Sequence, residues 1–237
     1  MSALATTAQA AGAMTAGTPH RGLFARHPEL FTLLLIVLVG TVVGSINQNF
    51  FQLSTVFDIL RSSTVTGLFA LGVLIVLAAG GIDVSFTAIA VLTMYAITKA
   101  VLGYWPEAPF FLIISCGALI GALLGACNGF LIHRLKAPSL IVTIGTQYLL
   151  RGFLLTFVGT LFFMVIPQSM DGFGRIALFN YTSPSGATAI LPASVLVLAA
   201  AAAVTWFLLN RTLMGRAIYA MGGSLAIAER LGYNLRV

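Results

Sequence analysis

Charged residues are scarce in this sequence: Asp, Glu, Lys and Arg make up only 8% of its 237 residues, against about 25% in soluble globular domains. Hydrophobic residues make up 59% and gather in long runs. A chain of this kind is solvated mainly by lipid, and its helices pack on one another rather than around a large central core. The composition therefore indicates a membrane protein and not a soluble domain.

Cysteine is also scarce, and its two copies suggest no chemistry. Cys116 and Cys127 lie in one apolar run, and the eleven-residue step between them corresponds to about 16 Å along a helix, which is too far for a disulfide bond. No CxxC or Cys/His spacing suggests a metal site, so we expect no cofactor. The segment G-x-x-x-x-G-K-[ST], which binds nucleotide phosphates, is missing as well.

Acidic residues are few: the sequence has 6 of them against 12 Lys and Arg. The basic residues are scattered singly between apolar runs, as is typical of cytoplasmic loops. A nucleic-acid-binding surface would instead cluster them on one face. We therefore expect no nucleic-acid partner.

The apolar runs predict an all-α, polytopic membrane protein with about six transmembrane helices, because about 20 apolar residues cross a bilayer. Residues 1–29 are predicted to be a disordered tail, and residues 50–62 form an amphipathic stretch that either lies at the interface or begins the second helix. Residues 210–237 form a polar, basic segment. The predicted helices are about 30–46, 64–79, 84–102, 110–132, 138–158 and 190–209.

The distribution of Lys and Arg predicts the orientation. Eight of them fall on the side of the two termini and one or two on the other side. By the positive-inside rule, both termini and residues 210–237 are then cytoplasmic.

The segment Gly80–Ser85 interrupts the apolar run from about residue 64 to residue 98 with two glycines and one carboxylate, Asp83. Irregular backbone and a charge are both costly in hydrocarbon. In one interpretation Gly80 or Gly81 ends one helix and Asp83 is the N-cap of the next. In the other, the segment is a hinge with a role in gating.

Two further stripes are visible at four-residue spacing. Gly117, Gly121, Gly125 and Gly129 leave one helix face bare, which favours close approach of another helix, from a second subunit or from the same chain. Thr143, Gln147 and Arg151 form a polar stripe, which we expect to face the protein interior or a water-filled path. Alternatively, Arg151 extends to the membrane surface.

In the tail, Ser224 is predicted to cap a short helix over residues 225–231, which Gly232 then ends. Such a helix is either a docking element for a partner protein or part of an ordinary loop.

Three motifs, in order along the chain, resemble the permease subunits of sugar-type ABC importers, the ribose, xylose, galactose and autoinducer-2 group. Residues 80–85, GGIDVS, are similar to that family's GGIDLS, although the glycine usual shortly afterwards is replaced around Phe86 and Thr87. The family's middle section, G-x-x-NG followed by P-x-x-x-x-T-x-G and RG, is matched by Gly125, Asn128, Gly129, Pro138, Thr143, Gly145, Arg151 and Gly152.

The tail resembles the family's cytoplasmic loop, whose coupling helix docks on the ATPase. Ser224 stands where Asn is usual. The residues that match this loop, and to which the resemblance assigns ATPase coupling, are Gly215, Arg216, Tyr219, Ala220, Gly222, Gly223, Ala226, Ala228 and Gly232.

The resemblance implies the permease subunit of an ABC importer for a sugar or similar small polar solute, in the bacterial inner membrane. The implied partners are an ABC ATPase, an extracytoplasmic solute-binding protein, a second permease subunit and the lipid bilayer. The chain itself would not be an enzyme, since ATP is hydrolysed on the ATPase. The residues expected to form the translocation path or hinge are Gly80, Gly81, Asp83, Ser85, Asn128, Thr143, Gln147 and Arg151.

Family members usually continue into several more membrane helices, whereas this chain stops at Val237. We therefore expect a fragment, a truncated product or one piece of a split permease, and a non-functional fragment stays an alternative.

A second alternative function is an ion-coupled secondary transporter with Asp83 as its proton site. Such a transporter would be driven by an ion gradient rather than by ATP. An intramembrane aspartyl protease is disfavoured, because no second acid lies within the membrane to share a proton with Asp83.

Overall fold

The computed structural model describes residues 28–159, 163–182, 188–230 and 232. The chain divides into two units, residues 1–52 and 53–237. In the first unit, helix α1 (Pro28–Ile46) is followed by a 3-10 turn, Gln48–Phe51. The Phe51 ring lies over Gly44 and occupies the space that a side chain there would need. The prediction of a disordered tail falls almost wholly on residues 1–27, which lie outside the described residues.

The second unit is built on five long helices, each apolar and long enough to cross a membrane; the apolar part of α1, Leu30–Ile46, is shorter. The long helices are α2 (Leu53–Ala78), α3 (Phe86–Tyr104), α4 (Phe110–Leu135), α5 (Ser139–Phe153, continued by a π-helical turn, Leu154–Val158) and α7 (Ser194–Arg211). The predicted all-α, multi-pass class is confirmed.

Helix α2 begins at Leu53, well before the predicted start at residue 64. The amphipathic stretch is therefore mostly the first three turns of this helix. The hydroxyls of Ser62 and Thr64 donate to the carbonyls of Asp58 and Leu60, at 2.8 and 3.0 Å. Because these side chains bond within their own helix, polar residues do not interrupt it.

Helix α3 is the central helix of this unit. It packs against both α4 and α5. Of the residues in its membrane-length apolar stretch, 22% are buried, the largest share among the five long helices. Ala88, Ile89 and Leu92 of α3 form a small buried cluster with Leu150 of α5. The other long helices expose most of their apolar side chains, as expected of surfaces that face lipid.

The polar segment after α5 contains structure that the sequence pattern did not predict. Helix α6 (Gln168–Arg175) is followed by an antiparallel hairpin of β1 (Ala177–Thr182) and β2 (Thr188–Pro192), in which Phe179 pairs with Leu191 and Tyr181 with Ala189. The predicted start of the last membrane helix at residue 190 is therefore wrong, because residues 190–192 belong to β2. Helix α7 begins at Ser194, after β2 has ended at Pro192.

The hairpin and α6 lie at one end of the bundle. Phe179 of β1 meets Phe57, near the start of α2, edge to face at 6.1 Å. Phe173 of α6 stacks on Phe110 at the start of α4, with ring centroids 4.2 Å apart. The segment Gly80–Ser85 follows the other end of α2, and 26 residues of helix span about 39 Å. The two features are thus at opposite ends of the bundle.

Gly67 on α2 faces Leu198 of α7, and a Cβ at this position would lie 2.8 Å from Leu198 Cδ1. We expect Gly67→Val to lower the free energy of unfolding by about 1–3 kcal/mol through overpacking. Gly72→Val is the matched control, because a Cβ there meets no atom within 4 Å. The measurement is thermal unfolding in detergent; equal midpoints for the two variants would contradict this packing of α2 on α7.

Candidate functional site

The segment Gly80–Ser85, called the break from here on, has no regular secondary structure but is well bonded. Gly80 adopts the left-handed conformation, with φ of 80°, and its N–H donates to the carbonyl of Leu77. The N–H of Gly81 donates to the carbonyl of Val76 at 3.0 Å. The left-handed glycine ends α2 in the way expected of a helix C-terminus, as the sequence predicted.

Helix α5 provides the next partners of the break. The N–H of Ile82 donates to Ser139 Oγ at 2.9 Å, and the N–H of Val84 donates to Thr143 Oγ1 at 3.3 Å. The Thr143 hydroxyl lies 3.3 Å from the carbonyl oxygen of Ile82, to which it can donate. Two hydroxyls at the start of α5 thus replace the hydrogen bonds that the backbone of the break loses outside a helix.

Asp83 is not the N-cap of α3; the cap position is Ser85. The carboxylate acts from two residues earlier, where its Oδ1 accepts both the N–H and the hydroxyl of Ser85, each at 2.7 Å. This is an Asx turn, in which an aspartate bonds its own chain two residues on. The interpretation of Asp83 as the N-cap of α3 is therefore wrong by two residues.

A buried hydrogen-bond network joins the break to α4 and α5. Asn128 of α4 donates from Nδ2 to Ser85 Oγ at 2.8 Å. Its Oδ1 accepts the hydroxyl of Thr146 on α5 at 2.7 Å. Ser85, Asn128 and Thr143 have exposed fractions of only 0%, 4% and 1%. The bonds run from Thr146 through Asn128 and Ser85 to Asp83, so each donor points toward the carboxylate.

The polar face of α5 differs from the predicted stripe. Thr143 is buried in the network, Gln147 is half-buried and Arg151 is exposed. Steps of four residues drift around a helix by about 40° each, so Gln147 and Arg151 rotate away from Thr143. The face that meets the break instead carries Ser139, Thr143 and Thr146, at positions i, i+4 and i+7. Ser139 and Thr146 were missed, although this spacing could have revealed them.

The tail contacts the break through glycine backbone. Helix α8 (Leu213–Gly223) ends beside the end of α2. A Cβ at Gly222 would collide with the carbonyl oxygen of Ala78 and lie 3.2 Å from the Gly80 nitrogen. A Cβ at Gly80 would in turn lie 3.1 Å from the Gly222 Cα. Only glycine at both positions allows this backbone contact.

A third glycine fixes the start of α8. Thr212 is its N-cap and accepts the N–H of Gly215 at 3.1 Å. A Cβ at Gly215 would collide with the carbonyl oxygens of Leu208 and Leu209 at the end of α7. Helix α8 therefore lies directly on the ends of α7 and α2.

The other matched tail residues fall into separate environments. Ala228 of α9 (Leu225–Arg230) is fully buried, and Gly232 adopts the left-handed conformation with φ of 80°. Ala226 lies in the same short helix, but its side chain is outside the described residues, as is Leu231. Arg216, Tyr219 and Gly223 are exposed, and Ala220 is half-buried.

A groove with a volume of about 730 Å³ runs between α2 and α4 over α3. Asp83 and Val76 line it near the break, and Thr98, Ile113 and Met170 line it toward the opposite end. Gly117, Gly121 and Gly125 form part of one wall. A Cβ at Gly121, Gly125 or Gly129 meets no atom within 4 Å, so no described helix packs on that part of the predicted glycine stripe.

The network predicts a role for Asn128 in holding α3, α4 and α5 together. We expect Asn128→Ala to lower the free energy of unfolding by about 1–3 kcal/mol, because interhelical hydrogen bonds in membranes are worth about 0.6–2 kcal/mol each. Cys127→Ala is the control, since Cys127 is the exposed neighbour. Unfolding in detergent measures both; an Asn128→Ala variant as stable as its control would show that the bridge contributes nothing.

The Asx turn predicts that the break needs an oxygen at position 83 rather than a charge. Asn keeps a side-chain oxygen that can accept the two bonds from Ser85, whereas Ala removes it. We expect Asp83→Ala to lose about 1–2 kcal/mol of stability and Asp83→Asn less than about half of that, by analogy with capping substitutions. The same unfolding assay compares the two, and equal losses would mean that the charge itself stabilises the break.

The family model for the permease component of branched-chain amino acid transport systems matches residues 55–237. The ribose import permease protein RbsC of Haemophilus influenzae is 31% identical over 204 residues, which are 86% of this chain and 60% of that protein. The autoinducer 2 import system permease protein LsrC of Klebsiella pneumoniae is 34% identical over 207 residues, 87% of this chain and 56% of that protein.

The RbsC protein of Escherichia coli K12 is 26% identical over 208 residues, 87% of this chain and 62% of that protein. The chain thus spans about three fifths of the length of these relatives. No solved structure matches it. The family resemblance seen in the three motifs is confirmed: this chain belongs to the family of transport-system permease components and is a multi-pass protein of the bacterial inner membrane.

Proposed function

We propose that this chain is the membrane-spanning permease subunit of an ATP-driven importer for a sugar or a similar small polar solute. A separate ABC ATPase would hydrolyse ATP, and an extracytoplasmic binding protein would deliver the solute. The named functions of the relatives, ribose import and autoinducer 2 import, support this class of solute without choosing between them.

The observation that carries the proposal is the contact between α8 and the break. In a coupled importer, movement of the ATPase must reach the membrane helices. Helix α8 rests on Ala78 and Gly80 through Gly222, and the break continues into α3 and bonds to α5. Because backbone meets backbone there without a flexible side chain between, displacement of α8 would move the ends of α2 and α3 directly.

The proposed orientation places α8, α9 and the break on the cytoplasmic side, where an ATPase would dock. The basic residues Arg134, Lys136, Arg211 and Arg216 lie in or beside the segments at this end of the bundle, in agreement with the positive-inside rule. Helix α6 and the hairpin at the opposite end would then face the binding protein. A second permease subunit completes the proposed assembly.

The test is Gly222→Ala in the chain co-expressed with its ATPase and binding protein. The added methyl group has no room against Ala78, so α8 must shift away from α2. We expect at least about a tenfold loss of solute-stimulated ATP hydrolysis, which corresponds to about 1.4 kcal/mol of coupling energy. Basal ATP hydrolysis and co-purification of the ATPase should be kept.

Gly145→Ala on α5 is the control, because it makes the same chemical change in a helix where a Cβ meets no atom within 4 Å. Gly80→Ala disturbs the same contact from the other side and should resemble Gly222→Ala. Unchanged stimulation in both contact variants would contradict the coupling role of α8. Solute uptake that needs an ion gradient and no ATPase would contradict the importer class itself.

A further inference from the structure

The residues predicted to form the translocation path are not assembled around one cavity. Asn128 and Thr143 are buried in the network, Gln147 is half-buried and does not line the groove, and Arg151 is exposed. Asp83 alone among them lines the groove between α2, α3 and α4. The groove is therefore a better candidate for the solute path than the polar stripe of α5.

The groove extends along most of α3. Its lining begins at the break, with Asp83 and Val76, and reaches Met170 of α6, the helix that packs against the start of α4. Along α3 its lining extends from Phe86 to Thr98. Glycines and alanines of α3 and α4 leave its wall open: Ala90, Gly117, Ala118, Gly121 and Gly125.

Two polar atoms along the groove, Asp83 Oδ2 and Thr93 Oγ1, have no hydrogen-bond partner among the described residues. Both described bonds to Asp83 end on Oδ1, so among the described residues Oδ2 has no protein donor. Thr93 lines the groove, and its buried hydroxyl has no partner within the described part of the chain. Asp83 is also the one charged residue among the described lining residues.

The Thr93 hydroxyl can be presented to the groove by a small movement. Threonine in a helix occupies two χ1 rotamers, so one rotation about χ1 redirects both the hydroxyl and the Cγ2 methyl group. That methyl group lies 3.8 Å from the position of a Cβ at Gly117, which lines the groove. Thr98 adds a second threonine five residues later, about 7.5 Å farther along α3.

We infer that this groove is the solute path through the subunit, and that a small neutral solute with several hydroxyl groups passes along it, donating to Asp83 Oδ2 near the break and bonding to Thr93 on the way. The inference rests on the proposed function and adds where in the subunit the solute passes. A mostly apolar lining with a few polar groups is typical of small-molecule sites. A bare cation would need several oxygen ligands, and the groove offers one carboxylate. Widely spaced polar groups bind weakly enough for a solute to leave, as conduction requires.

The first experiment measures whether water enters the groove, independently of any solute. In the full chain with its partners, and with Cys116 and Cys127 replaced by serine, Gly121→Cys is treated in membranes with a small water-soluble thiol reagent that does not cross lipid. Leu119→Cys is the control at the same depth: it lies about 200° around α4 from Gly121, does not line the groove and is 60% exposed.

We expect Gly121→Cys to react at least about tenfold faster than Leu119→Cys, because hydrocarbon contains no water to carry the reagent. D-ribose at millimolar concentration should slow the reaction at Gly121→Cys and not at Leu119→Cys. Equal, slow labelling at both positions would overturn the inference, because the groove would then be filled by lipid or by another helix.

The second experiment fills the groove and measures transport. Gly121→Leu places a large side chain where no atom lies within 4 Å, and Gly129→Leu does the same on α4 outside the groove lining. We expect Gly121→Leu to reduce uptake of radiolabelled ribose at least about tenfold with the ATPase still bound, and Gly129→Leu to leave uptake within twofold.

The outcomes of this second experiment separate the inference from the proposed function. Normal uptake by Gly121→Leu would overturn the groove as the path while leaving the permease intact. Loss of subunit assembly in Gly121→Leu alone would overturn it in favour of a packed helix. If the unmodified protein imports none of a panel of pentoses and hexoses, the proposed function fails, and thiol labelling still decides whether the groove is aqueous.

Discussion

Backbone groups between membrane helices must find hydrogen-bond partners in the protein, because hydrocarbon offers none. The break, Gly80–Ser85, meets this constraint by bonding to two hydroxyls of α5 and to the carboxylate of Asp83, within the break itself. Ser139 and Thr143 fix where α5 begins relative to the end of α2. Asn128 then ties α4 to the same point through Ser85. The arrangement of the ends of α2, α3 and α5, and of α4 beside them, thus follows from the bonding needs of six residues.

The glycines near the break have a complementary role. Gly80 and Gly222 allow the backbones of α2 and α8 to touch, and Gly215 does the same for α8 and α7. A contact between backbones has no rotamers that could absorb a displacement. The break is therefore held on one side by directional hydrogen bonds and on the other by steric contact. Packed interfaces switch between discrete arrangements rather than deform continuously.

The sequence predicted most of the membrane architecture and part of the site, and the errors have physical causes. Apolar runs identified the long helices, but the start of α2 was placed too late because its first turns are amphipathic and its hydroxyls bond within the helix. The hairpin was missed because its strands pair with each other and pack on Phe57, and neither contact is visible in local composition. Of the predicted site residues, the structure brings together Asp83, Ser85, Asn128 and Thr143. Gln147 and Arg151 were added by counting in fours, which the pitch of a helix does not sustain beyond one turn.

The position of Asp83 allows its carboxylate to anchor α3 and to line the groove at the same time. One oxygen, Oδ1, accepts both bonds from Ser85 and orders the start of α3. The residue also lines the groove, where the other oxygen has no donor among the described residues. A carboxylate has about four lone-pair sites, so holding α3 in place does not exhaust its capacity to accept hydrogen bonds. The bond to Ser85 moreover fixes the carboxylate orientation, which lowers the entropic cost of any hydrogen bond made on the groove side. Structural anchoring of this residue is thus what would make it an effective binding group.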